Sequence, residues 1–360
     1  MNLFPIKEKK YRFKFLSELD FAPIKIQKMR VAVFSTKTYD REYLDKFNIT
    51  GKHKLTYFEA SLNSNTTNLT LGFEAVCVFV NDKIDSGTIE KLSENGIKII
   101  ALRCAGFNNV DIDAARQKNI KVVRVPAYSP QAVAEHAVAL ILTLNRKTHK
   151  AFNRIREGNF SLEKLIGFNL YKKTVGVIGT GQIGTIFCEI MLGFGCKVIA
   201  FDVYESNNLK AKGVEYKSFD EIIYNSDIIS LHCPLTPETH HLFNRSVFNK
   251  IKKGAMIINT CRGAVIKTSD TIEALKNGKL GYLGMDVYEQ EENLFFRDLS
   301  ESIIQDELIL QLLSYPNVLI TSHQGFFTNE ALGEIATTTV KNLTDFESGV
   351  ALENEVKLKA

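Results

Sequence analysis

Two charged side chains in this chain each stand just beyond an apolar run: Arg262 in Asn259-Thr-Cys-Arg262-Gly263, and His323 in Thr321-Ser-His323-Gln-Gly325. A guanidinium can hold a carboxylate through a paired fork of hydrogen bonds and polarise the carbonyl beside it. An imidazole titrates near neutrality, so it can give a proton to a carbonyl oxygen as hydride arrives and take it back in the reverse direction. A carboxylate on the other ring nitrogen would fix the tautomer and favour the imidazolium. Candidates for that acid lie in Met285-Asp286-Val-Tyr-Glu289-Gln-Glu291-Glu292, again after an apolar run. Taken singly, each residue has an ordinary alternative as a surface ion pair or a structural histidine. Taken together, they suit proton and hydride transfer at a carbonyl that neighbours a carboxylate.

Such chemistry needs a hydride carrier, and the run Thr174-Val-Gly-Val-Ile-Gly179-Thr-Gly181-Gln182-Ile183-Gly184 has the form of a dinucleotide fingerprint. Val175, Val177 and Ile178 read as a buried parallel strand. Gly179 permits the sharp turn, Gly181 lets the backbone approach the phosphates, and Gly184 lets the following helix pack close to the sheet. A helix beginning near Gln182 points free N–H groups and its positive dipole end at the anion. Asp202, at the end of Lys197-Val-Ile-Ala-Phe-Asp202, stands where it can accept from both ribose hydroxyls and repel an added phosphate. The expected cofactor is therefore NAD rather than NADP.

These residues need a scaffold, and strand-like and helix-like segments alternate from Arg30 onward, the pattern of an α/β protein. Strands are expected at Val31 to Phe34, Ala75 to Val80, Ile97 to Ala101 and Lys121 to Val123, with helices near 39–47, 86–95 and 111–118. Pro126 to Pro130 is turn-rich and leads into a long apolar helix at Gln131 to Asn145. A second series opens at Thr174 and continues at 197–202, 227–232, 256–260, 281–286 and 317–321, six strands in all. Ser218-Phe-Asp-Glu221 is a capping box, a helix at Thr268 to Asn277 ends at Gly278, and a last helix covers Glu330 to Glu347. Because the nucleotide segment lies mid-chain, the tail most simply completes the first domain, leaving two crossings that form a hinge over a cleft.

Composition narrows the function classes. The chain has 360 residues, net charge +4 and an ordinary apolar and charged content, which suits two globular domains. Residues 1 to 30 carry eight Lys and Arg against three acidic residues, so the body is close to neutral and a nucleic-acid surface is not expected. Residues 1–29 read as a dispensable or disordered leader, with translation from Met29 as the simple alternative. No apolar stretch is long enough for a bilayer. Cys77, Cys104, Cys188, Cys196, Cys233 and Cys261 are scattered, without metal-ligand spacing, which fits reduced thiols in a cytoplasmic protein and no bound metal.

From about Arg30 to its end, the chain closely resembles the D-isomer-specific 2-hydroxyacid dehydrogenases, and within them the fermentative D-lactate branch. The resemblance rests on Leu102-Arg-Cys-Ala-Gly-Phe-Asn-Asn-Val-Asp111, Val125-Pro-Ala-Tyr128, Ala132-Val-Ala-Glu-His136, Gly179 to Gly184, Leu231-His-Cys-Pro234, Asn259 to Gly263, Gly284 to Glu289 and His323-Gln. It implies a Rossmann-type NAD domain (129–326) inserted into a flavodoxin-like substrate domain (30–128 and 327–360). It also implies reversible reduction of pyruvate, with Arg262 binding the 2-oxo acid, His323 as general acid and base, and Glu291 supporting the histidine, five positions beyond Asp286. Glu289 is near enough to compete for that role.

Carried over in the same way, Gln182 and Ile183 meet the pyrophosphate, Asp202 the ribose, Cys233 and Pro234 the adenine end, and Thr260, Cys261 and Asp286 the nicotinamide. Backbone amides of Ala105 and Gly106 meet the substrate carboxylate, while Phe79, Tyr128 and Phe326 limit pocket size and so favour a small 2-oxo acid. Two departures are visible: Gln182 stands where many relatives carry a cation, and Cys261 replaces a common serine. The resemblance further implies a twofold contact near helix 131–145, hence a homodimer or homotetramer, although burial within one subunit explains that helix equally well. One alternative is another 2-oxo acid, such as phenylpyruvate or hydroxypyruvate, as substrate; another, from a different class, is an NAD(H)-sensing corepressor, since proteins of that kind share the fold and a similar Arg, Glu and His set.

Overall fold

The structure is a computed structural model that describes residues 28–357; all but the last two residues of the expected leader therefore lie outside the described residues. Within it, Met29 is buried in the core and its N–H donates to Glu347.

Among the described residues, twelve short strands form two sheets, and every pairing within them is parallel. The first sheet holds β1 (Arg30–Val33), β2 (Lys54–Tyr57), β3 (Ala75–Val78), β4 (Ile99–Leu102) and β5 (Lys121–Val123), in the order β2-β1-β3-β4-β5. That order is the flavodoxin-like one. The second sheet holds β6 (Thr174–Ile178), β7 (Lys197–Phe201), β8 (Glu215–Tyr216), β9 (Ile228–Leu231), β10 (Ala255–Asn259), β11 (Leu280–Met285) and β12 (Val318–Ile320). Its order, β12-β11-β10-β9-β6-β7-β8, is the Rossmann order extended by one edge strand.

Both sheets are covered on both faces, as parallel sheets must be, because their crossover helices bring apolar surface to each side. Val177 and Val198 face one apolar cluster, while Ile178 and Ile199 face another, so alternate residues of the same strands supply two cores. Alternation does the same for the first sheet, where Ala32 and Val76 pack on one side and Val31, Val33 and Ala75 on the other.

Two strands escape the sequence reading. β2 is a half-buried edge strand of mixed sequence, and β8 is only two residues long, so the second sheet has seven strands rather than the expected six. Neither has an apolar run to announce it, since edge strands bury less of each face.

The chain passes twice between the sheets, after β5 and after β12. Ser129 caps the helix Pro130–Arg146 by accepting from Ala132 N–H, with Pro130 in the first turn. Ala134, Ala137, Leu140, Ile141 and Leu144 of that helix are buried against the second sheet, which accounts for its apolarity inside the chain. The final helix, Asn329–Glu347, returns to the first sheet, where Ala336, Val340 and Leu343 pack with Val31 and Val33. Asn342 seals the return by donating to the carbonyl of Arg124. No helix among the described residues is long and apolar enough to cross a membrane.

Candidate active site

Ligands of open parallel sheets bind beyond the carboxyl ends of the strands. Here both sheets present those ends to one cleft of about 430 Å³. The first sheet contributes Ala105, Gly106, Arg124 and Tyr128; the second contributes His232, Cys233, Pro234, Thr260, Cys261, Arg262, Asp286 and His323.

Arg262 is placed by a tied turn after β10. The fully buried Asn259 donates to the Arg262 carbonyl and accepts from Cys261 N–H, which bends the chain and directs residue 262 outward. Its guanidinium lies against the loop after β4: a Cβ built on Gly106 would stand 2.7 Å from Arg262 Nη2. A side chain at position 106 would therefore push the guanidinium away from that backbone. Arg124 fixes the same loop from behind, donating to the Ala105 carbonyl at 2.7 Å. Burial raises the Tyr128 phenol above its ordinary pKa, while the nearby Arg262 charge pulls it the other way.

His323 follows β12 in the left-handed region, with φ +54°. Asp286 imposes that turn. Its backbone carbonyl accepts from His323 N–H at 2.7 Å, and its carboxylate accepts from Gln324 N–H, Gly325 N–H and the Thr321 hydroxyl. His136 closes the network, with Nε2 3.3 Å from Asp286 Oδ1. Burial would raise the Asp286 pKa, but hydrogen bonds from His136 and Thr321 outweigh it and hold the carboxyl below its usual range. Asp286 thus serves as the brace of the histidine turn as well as lining the cleft.

Glu291 settles on the imidazole: Oε1 lies 2.9 Å from His323 Nδ1, while Oε2 accepts from Tyr288 N–H. Glu289, the competitor, pairs instead with His241 at 2.6 Å and accepts from Thr268 N–H. Phe79, Phe326 and Tyr128 form an aromatic row beside this pair, with ring centroids 5.9 and 6.1 Å apart.

The residues present fit a dinucleotide. Gly181 caps the helix Gln182–Gly193, and a Cβ there would meet nothing, so the space over the helix start is open. Gly179, at φ +94°, and Gly184 leave no such room: a Cβ on Gly184 would fall 2.0 Å from the Gly179 carbonyl. Asp202 sits directly after β7 and accepts from Thr180 N–H and Tyr204 N–H; burial opposes, but these bonds lower its pKa, so it is a fixed anion beside the glycine turn. Farther in, the buried Thr260 hydroxyl makes no hydrogen bond among the described residues and lines the cleft, a polar group left for a ligand. Gln182 and Ile183 border the adjoining opening.

A family model, "D-isomer specific 2-hydroxyacid dehydrogenase, NAD binding domain", matches residues 138–325. The chain is 52% identical to the D-lactate dehydrogenase of Escherichia coli strain K12 over 328 residues, 91% of this chain and 100% of that protein. The chain belongs to the D-isomer-specific 2-hydroxyacid dehydrogenases. It is thus an NAD-dependent oxidoreductase of that family, with a Rossmann NAD-binding domain. The apo structure of the Escherichia coli D-lactate dehydrogenase superposes with TM-score 0.84 at 49% identity, covering 91% of this chain and 100% of the other. The Aquifex aeolicus D-lactate dehydrogenase, solved with NAD and lactic acid, gives TM-score 0.82 at 35% identity, covering 92% and 100%.

Three neighbours of the dehydrogenase site had no role in the sequence reading: Arg124, His136 and Phe296. His136 falls in a motif that supports the family resemblance, but only folding shows that it reaches Asp286, 150 positions away. Phe296 lies in a loop whose two adjacent phenylalanines look like plain core residues.

Proposed function

We propose that this dehydrogenase reduces pyruvate to D-lactate, reversibly, with NADH as the hydride donor. The observation that carries the reading is the convergence of Arg262, Gly106 and the His323–Glu291 pair at one cleft lined by Tyr128 and Phe326, with the Phe79 ring packed behind Phe326. Arg262 and the backbone of Ala105 and Gly106 hold the substrate carboxylate, and Arg262 also polarises the carbonyl. His323 donates a proton to the carbonyl oxygen and recovers it in the reverse reaction, with Glu291 holding Nδ1 so that Nε2 faces substrate. NAD, when bound, supplies or accepts the hydride. Gly179, Gly181, Gln182, Ile183 and Gly184 hold its pyrophosphate, Asp202 the ribose, Cys233 and Pro234 the adenine end, and Thr260, Cys261 and Asp286 the nicotinamide.

The domain division that follows assigns 30–128 and 327–360 to substrate and 129–326 to cofactor, in a cytoplasmic protein that works as a homodimer or homotetramer. Following NADH absorbance with pyruvate, hydroxypyruvate and phenylpyruvate, and assigning the product enantiomer, tests the reading. Pyruvate as the best substrate with D-lactate as product is expected. Preference for a bulkier 2-oxo acid would replace the substrate, and binding of NADH without any turnover would favour a sensor.

A further inference from the structure

Phe296 stands at a place where its backbone alone would not put it. It lies in the loop after β11 with φ +62°, a left-handed conformation that a bulky residue adopts only where its surroundings impose it. Its neighbours explain the turn. Phe295 is buried in the core of the second sheet, whereas Phe296 packs against that core and the core of the first sheet. The left-handed step sends two consecutive aromatic rings in different directions, one inward and one across the cleft.

Across the cleft, the Phe296 ring meets Phe79 edge to face, with centroids 5.3 Å apart and planes at 73°. It also lies 6.0 Å from the His323 ring, with the two planes at 35°. The aromatic row therefore runs unbroken from His323 through Phe296, Phe79 and Phe326 to Tyr128. Its middle is stiff, because the fully buried Arg103 guanidinium lies 4.9 Å from the Phe79 ring centroid and donates to the Ser35 carbonyl. A ring backed by a fixed cation cannot retreat to admit a larger substrate group.

We infer that Phe296 is a specificity-determining residue, the wall nearest the imidazole that restricts the substrate's C3 group to the size of a methyl. This rests on the proposed 2-oxo acid reduction. A substrate with its carboxylate on Arg262 and its carbonyl oxygen at His323 turns its remaining substituent toward this row. Phe296 reaches the row from the cofactor-binding side, so the pocket is complete only when both domains contribute.

The test compares wild type with Phe296→Gly, which suits the left-handed backbone, Phe296→Leu, and Phe296→Tyr, which keeps the ring. For each, kcat/KM is measured with pyruvate and with 4-methyl-2-oxopentanoate, alongside NADH affinity by fluorescence and the thermal midpoint. Phe296→Gly is expected to shift the ratio of the two kcat/KM values toward the branched acid by about tenfold or more, with Phe296→Leu smaller in the same direction. Phe296→Tyr should hold the wild-type ratio, and NADH affinity should not move. A ratio unchanged in Phe296→Leu, or a parallel loss with both acids, overturns the inference and leaves Phe296 a packing residue. A wild-type protein that reduces neither acid instead overturns the proposed function, an outcome visible before any variant is made.

Discussion

Glu291 Oε1 lies 2.9 Å from His323 Nδ1, although the two residues leave different strands of the second sheet and are 32 positions apart. Glu289, only two residues earlier, is bonded to His241 and to Thr268 N–H and has no part in the pair. The two glutamates should therefore respond differently to the same change. Glu291→Gln removes the charge that holds the imidazole and should lower kcat about 10²- to 10⁴-fold. Glu289→Gln should leave kcat within about threefold, since its loss is one half-buried ion pair. Steady-state kinetics of both variants decides the assignment, and equal losses would remove Glu291 from its role.

Arg262 offers a second separation, between substrate and cofactor. Its guanidinium faces the Gly106 loop rather than the glycine turn at 179–184. Arg262→Gln should cut kcat/KM for pyruvate by about 10³-fold or more through loss of the bidentate cation. NADH titration by fluorescence should give nearly the wild-type affinity. A large loss of NADH binding with preserved pyruvate turnover would place this arginine on the cofactor instead.

How far the sequence reveals this site depends on whether a residue acts through its own neighbourhood or through the fold. The placing of Gly179, Gly181, Gly184 and Asp202 at a strand–turn–helix and the end of the next strand was legible because those elements succeed one another locally. Bare residue patterns left the histidine's acid partner open between 286 and 292, and family resemblance narrowed it to Glu291 because relative spacing along one loop is retained. The brace of His136 on Asp286 was not legible, because it joins distant segments and a histidine within an apolar helix has no local signature. β2 and β8 were missed for the opposite reason: short edge strands need no apolar alternation. Phe296 was hidden by composition, since a phenylalanine pair in a loop looks like core until the backbone turns the second ring away.

Asp202 has an observed structural role and a proposed ribose-binding one, which substitution should separate. Its carboxylate accepts from Thr180 N–H and Tyr204 N–H, which fixes the glycine turn, and its place beyond β7 suits ribose binding. Asp202→Ser should narrow the preference for NADH over NADPH by about 10- to 100-fold in kcat/KM, mainly by removing repulsion of the added phosphate. It should also destabilise the protein by about 1–3 kcal/mol as backbone donors lose their charged acceptor. Loss of stability with unchanged cofactor preference would leave Asp202 as a structural residue alone.

His232 should make the fold sensitive to acid. Its ring packs against Phe187 at the edge of the cleft, with Ser230 Oγ at 2.9 Å from Nε2, and desolvation pushes its pKa down to about 3. The unfolded imidazole titrates near 6.5, so between about pH 6.5 and 3 the unfolded chain binds a proton that the folded one refuses. Stability is thus complete above pH 6.5 and declines as the pH falls toward 3. At pH 5 this one group should account for about 2 kcal/mol relative to pH 8. In urea unfolding at the two pH values, His232→Asn should show a correspondingly smaller acid loss than wild type, whatever its stability at pH 8. Equal acid losses in the two proteins would mean that the ring takes up its proton without unfolding.

The assembly prediction follows from apolar side chains that stand exposed among the described residues. The helix Thr148–Arg156 buries none of its residues, and Phe152 and Ile155 stand exposed on it. The segment that follows folds back along it, because Arg154 donates to the Glu163 carbonyl and Lys147 to those of Lys164 and Ile166. That fold gathers Phe160, Leu162 and Ile166, each at least 75% exposed, beside the helix. Monomeric proteins seldom leave so many large apolar side chains exposed along one segment, whereas twofold contacts use such surfaces. Light scattering during size exclusion should therefore give a mass of at least two chains, and Leu162→Glu with Ile166→Glu should reduce it without unfolding the sheets. A wild-type mass of one chain at micromolar concentration would mean that this surface serves another partner.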